Sequence, residues 1–83
     1  MTAQDIENKI IEKYPGSTVQ VRDLTGTQDH YQVIVVSPLF SGQTMISQHR
    51  MVKAVLDEKI KSGELHALSL KTFTPEEWEK YGS

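Results

Sequence analysis

Three histidines, His30, His49 and His66, are the side chains of this 83-residue sequence best suited to proton transfer or metal ligation near neutral pH. The chain contains no cysteine. A histidine acting as general base has therefore no thiol to activate, and no serine lies in a nucleophile-elbow pattern. A small chain with little loop also offers little room for a substrate pocket, so an enzyme is not expected. As metal ligands, two histidines do not fill a four-coordinate site. An iron–sulfur cluster needs four ligands, and thiolates usually supply most of them. This chain supplies none. It can hold such a cluster only as half of a shared site, with the sulfur coming from a partner.

Composition narrows the setting. The length predicts a single domain over residues 1–83. A domain of this size buries only about 60% of its unfolded surface, and no disulfide is available to reinforce it. The core must come from apolar periodicity. A formal net charge of −2 argues against a dedicated nucleic-acid binder. No apolar run approaches the ~20 residues that cross a bilayer. The opening MTAQDIENK lacks a basic-then-apolar leader pattern. The expectation is a soluble cytoplasmic protein with no membrane association.

The elements that must position the histidines follow from periodicity. Thr2 with Asp5 resembles a capping box, and Ile6, Ile10 and Tyr14 form one helical stripe that Pro15-Gly16 ends. Thr18 to Arg22 alternates as a strand with one wet face. Tyr31 to Ser37 is β-rich. Its Val33-Ile34-Val35-Val36 run is apolar on both sides, which predicts a central, doubly buried strand. Leu39-Phe40-Ser41-Gly42 reads as a loop with two exposed apolar residues. Gln43 to Lys61 is the longest helical candidate, with Met45, His49, Val52 and Leu56 on one face and Ser62-Gly63 as its stop. Leu65 to Phe73 reads as a third strand. Thr74-Pro75-Glu76-Glu77 starts a helix, with Phe73 and Trp78 placed as a hydrophobic staple. The first two strands should pair antiparallel across their short turn. The helical crossover suits parallel pairing of the second and third.

His30 thus heads the second strand and His66 the third. By alternation His30, Gln32, Ile34 and Val36 share a face, and so do His66, Leu68, Leu70 and Thr72. Both imidazoles are expected at the polar rim of one face. The plainer reading is a half-exposed surface residue at each strand start. His49, on the apolar stripe, reads as a buried, hydrogen-bonded structural residue. Asp29 reads as turn chemistry, with orientation of His30 or cation binding as the alternative.

The chain resembles the BolA-like proteins over nearly its whole length. The resemblance lies in His30-Tyr31-Gln32-Val33, Val35-Val36-Ser37, Phe40-Ser41-Gly42, Gln48-His49-Arg50-Met51-Val52, His66-Ala67-Leu68-Ser69-Leu70-Lys71 and Thr74-Pro75-Glu76-Glu77-Trp78. It implies an α+β fold with a three-stranded mixed sheet and helices on one face. The family arrangement is class II KH-like, ordered helix-strand-strand-helix-helix-strand-helix. It also implies a break of the long helix into a short turn and a longer helix, placed near Met45 to Gln48. In function, it implies a partner of a monothiol CGFS glutaredoxin, the two sharing a glutathione-assisted [2Fe–2S] cluster for iron–sulfur trafficking or iron regulation. The family's C-terminal histidine ligand falls on His66. Its second ligand comes from a loop that here, at Leu24 to Asp29, has neither His nor Cys. His30 is the chosen second ligand, with Asp29, or His66 alone, as alternatives. The isolated chain is expected to bind no cluster, and the free protein to be capable of homodimerising.

The alternative function is a KH-like, nucleic-acid-binding transcriptional regulator. KH domains clamp the backbone with a GXXG loop, but Gly42-Gln43-Thr44-Met45 lacks the second glycine. Arg50, Lys53, Lys59 and Lys61 place cations on the long helix, interrupted by Asp57 and Glu58. Any such binding is expected to be weak and steeply salt dependent.

Overall fold

The computed structural model describes residues 2–24, 26, 30–63 and 67–82. Helix α1, Ala3–Lys13, starts at the expected box: Thr2 Oγ1 accepts from Asp5 N, and Asp5 answers at Thr2 N. Ile6 and Ile10 are fully buried. Gly16, at φ +86°, makes the left-handed turn that a side chain would strain. Strands β1, Thr18–Asp23, and β2, His30–Val36, then pair antiparallel, and Leu24 N donates to His30 O at 2.9 Å to begin the turn. Helix α2, Met45–Lys61, crosses over to β3, Ala67–Phe73, which runs parallel to β2. The sheet order β1-β2-β3 makes β2 central, as its apolar run predicted. Helix α3, Pro75–Glu77, continues as a π-type turn over Trp78–Gly82.

Helices α1 and α2 pack on the same face of the sheet and on each other. Tyr31, Val33 and Val35 supply that face from β2, against Ile6, Ile10, Val52 and Leu56. Tyr14 ties the two helices together, donating its hydroxyl proton to Met51 O at 2.9 Å. The other face carries Gln20 and Arg22, then His30, Gln32 and Ile34, then Ser69 and Lys71. The double burial expected of β2 is thus only partial: His30, Gln32 and Ile34 are half-buried because no helix covers them.

Three further expectations change. The long helix has no break at Met45 to Gln48; it is continuous from Met45, capped by Thr44, whose Oγ1 accepts from Ser47 N. The short helical piece of the family order is instead a 3-10 turn at Pro38–Phe40, fixed by Ser37 Oγ accepting from Leu39 N. That turn rotates Phe40 inward. Phe40 is fully buried, 6.3 Å from the Tyr14 ring, whereas Leu39 is exposed as expected. The buried stripe of α2 is Gln48, Val52 and Leu56, not one containing Met45 and His49. Met45 is 65% exposed, and His49 is half-buried. Gln48 reaches the interior because its amide finds a partner, donating from Nε2 to Gln43 O at 3.0 Å.

Candidate functional site: the head of the parallel strands

The edge of the sheet where β2 and β3 begin carries the described part of the predicted site. His30 opens β2, half-buried, and stands in register with Ala67, the first residue of β3. The remaining pairs, Tyr31 with Leu68, Gln32 with Ser69 and Val33 with Leu70, fix which residues share a face. Paired residues in a parallel ladder project to the same side. His30 therefore belongs to the helix-free face with Ser69 and Lys71. Leu68, Leu70 and Thr72 pack toward the helices; Leu68 and Leu70 lie against the core cluster, and Thr72 is buried. The expected sharing of one face between the His30 row and the Leu68 row is thus corrected. Alternation within each strand was read properly, but the two strands are offset by one residue. His66 itself lies outside the described residues, as do the alternative ligand Asp29 and most of the loop that precedes it.

Around His30 the helix-free face is polar. Arg22 pairs across the ladder with Gln32, which pairs in turn with Ser69. A shallow depression of about 260 Å³ lies over Gln20, Val21, Arg22, Gln32 and Ile34. Asp23 accepts from Gly26 N at 2.9 Å and shapes the turn beside the histidine. His49 is on α2, whose buried stripe faces the opposite side of the sheet from His30. Among the described residues no three His, Asp or Glu side chains are grouped so as to hold a metal ion. With no cysteine in the chain, the donor set fits half of an iron–sulfur site at most and cannot complete one.

The cation-bearing helix is less available than its sequence suggests. Lys61 is paired with Asp57 at 3.0 Å, and Lys59 also has a partner. Arg50 and Lys53 are exposed. Gly42 takes φ +80° and leads directly into the Thr44 cap, so the segment is a helix entry rather than a two-glycine clamp. No helix among the described residues is long and apolar enough to cross a membrane.

Sequence reasoning missed Gln48. Its side-chain amide bonds Gln43 O, just ahead of the helix it belongs to. The only signal was its place four residues before Val52, where an amide breaks an apolar stripe.

Comparison with known proteins supports this architecture. The family model described as BolA-like protein matches residues 6–77. Protein BOLA2 of Arabidopsis thaliana is 36% identical over 81 residues, covering 95% of this chain and 85% of that protein. A solved structure of a bolA protein homologue from Coxiella burnetii superimposes with a TM-score of 0.78 at 36% identity, covering 95% of this chain and 97% of that one. The DNA-binding transcriptional regulator BolA of Escherichia coli is 41% identical over 54 residues, which span 65% of this chain but only 50% of that protein. A match across both helix-bearing halves of the chain and the shared three-stranded fold lead to one conclusion: this chain belongs to the BolA family.

Proposed function

We propose that this chain is the thiolate-free partner in a shared [2Fe–2S] complex with a monothiol CGFS glutaredoxin and glutathione, serving iron–sulfur trafficking or iron regulation. His66 is assigned as the principal ligand and His30 as the second. The observation that carries the reading is the register of His30 with Ala67, the residue that follows His66 in the sequence. It sets Ala67, the head of β3, across the ladder from a half-buried histidine, while the row of Leu68 and Leu70 faces the helices. The absence of any cysteine supports a shared site, because the sulfur must come from elsewhere. A neutral imidazole in place of a thiolate carries one less negative charge. It raises the potential of the iron it holds and loosens the site toward transfer. Ligation requires the unprotonated ring, so acid should weaken the complex.

The test is to mix this protein with a cluster-loaded CGFS glutaredoxin and follow visible absorbance and mass. A new spectrum and a heterocomplex of one copy of each chain are expected. Unchanged spectra with no heterocomplex would sink the reading.

A second reading has one specific observation in its favour: the name of the Escherichia coli relative as a DNA-binding transcriptional regulator. For this chain it would rest on Arg50 and Lys53 of α2. It predicts that Lys53→Glu abolishes DNA retention while His66→Ala leaves it intact.

A further inference from the structure

At the opposite edge of the sheet from His30, where β1 begins and β2 and β3 end, lies a groove of about 500 Å³. Six residues of strand separate the two edges, about 20 Å at 3.3 Å per residue. The groove is therefore distinct from the proposed cluster site. Its apolar lining is Val36, Pro38, Pro75 and the indole of Trp78. Its charged lining is Glu76 and Glu79, both exposed, and among the described residues no lysine or arginine lines it. Neither carboxylate has a cationic partner among the described residues.

The groove is held ready by its surroundings. Thr74 Oγ1 accepts from Glu77 N at 3.1 Å, and Glu77 Oε1 accepts from Thr74 N at 2.9 Å. The Trp78 ring leans on Phe73 with centroids 5.3 Å apart. Glu77 is thereby consumed as a cap, while Glu76 and Glu79 are left to face the groove. The backbone and the indole are thus set before binding, and only the Glu76 and Glu79 side chains are left to be ordered by it.

An occupant must offer an apolar stem, a flat or compact cation and an extended backbone able to lie along prolines. An arginine fits each requirement. Its methylenes cover apolar surface, its guanidinium stacks on an indole, and its fork pairs with carboxylates. Aromatic-lined grooves suit extended, proline-rich peptide segments. Nucleic acid is disfavoured, because the charge here has the wrong sign. We propose that this groove takes an arginine side chain of an extended segment of a partner polypeptide.

Trp78 is the only tryptophan in the chain, so its emission reads the groove directly. The full chain, without metal, is titrated with a short capped Pro-Arg-Pro peptide and with the same peptide carrying neutral citrulline. A saturable change in emission is expected with arginine. Citrulline should bind at least about tenfold more weakly. The double variant Glu76→Gln, Glu79→Gln should lose the response while keeping the circular dichroism and melting profile of the parent, since both side chains are exposed. No response at millimolar arginine peptide, equal binding of the citrulline peptide, or undiminished binding by the double variant would each overturn the proposal. The probe carries no iron, so the outcome is independent of the cluster reading.

Discussion

His30 stands directly across the parallel ladder from Ala67, on the side of the sheet that no helix covers. This one pairing sets the geometry available to any ligand at the strand heads. It also sets His30 on the face opposite Leu68 and Leu70, the row with which alternation had placed it. If His66 is the principal donor and His30 the second, their replacements should differ in kind. His66→Ala should abolish the visible spectrum of the mixed complex with a cluster-loaded glutaredoxin. His30→Ala should retain a cluster with altered absorption and faster loss to a chelator. Identical spectra for wild type and His30→Ala would remove His30 from the ligand set and leave Asp29 or a single-histidine site.

Phe40 tests the 3-10 turn. A phenylalanine exposed for partner contact would be replaceable without loss of fold. The observed ring is fully buried against Tyr14. Phe40→Ala should therefore cost about 3–5 kcal/mol, a large share of the ~5–15 kcal/mol that holds a small domain together. Urea denaturation should show the midpoint falling steeply. A shift of less than about 1 kcal/mol would mean the ring is not part of the core.

Thr72 presents a buried polar atom with no bonding partner among the described residues. Its hydroxyl lies on the helix side of β3. Such a group costs about 1–3 kcal/mol in desolvation. Valine keeps the shape and the β-branch that suits a strand. Thr72→Val is expected to raise stability by about 1 kcal/mol, which for a domain of this length is about 4–8 °C in Tm. A fall in Tm would point to a hydroxyl partner, such as a trapped water.

Much of this arrangement was legible in the residues, and the failures share a cause. The caps at Thr2 and Thr74, the antiparallel turn after β1 and the parallel crossover to β3 all follow from local chemistry and connection length. Alternation correctly grouped Leu68 with Leu70 and His30 with Gln32. It could not say which group faces the helices, because that depends on how two distant segments slide past each other. The run Val33-Ile34-Val35-Val36 made matters worse by being apolar on both sides. Phe40 was misplaced because three residues of 3-10 turn carry no periodicity to read. Gln48 displaced Met45 from the buried stripe because an amide with a backbone partner can be interior, which hydropathy alone does not reveal.

The capping box at Thr74 makes a signed prediction about acid. The Glu77 carboxyl is held below its ordinary value of 4.5, chiefly because it accepts the hydrogen bond from Thr74 N, with further help from the Thr74 hydroxyl and Gln48; desolvation opposes the shift. A carboxyl depressed in the folded state binds fewer protons there than in the unfolded chain. Its contribution is complete above the unfolded value and disappears as pH falls through the folded one. Glu77→Gln keeps an acceptor oxygen but removes the titration. The stability gap between parent and variant should thus be widest near neutrality and close as the pH falls from the ordinary carboxyl value through the depressed folded one. Urea melts followed by Trp78 emission across that range read it directly, since Trp78 follows Glu77 in the chain. Parallel stability curves for the two proteins would mean that the carboxylate form is not what secures this helix start. The same experiment bears on the groove, because Glu77 fixes the backbone from which Glu76, Trp78 and Glu79 project. Acid should loosen the end of the sheet that holds the indole before it unfolds the core around Val33 and Ile6.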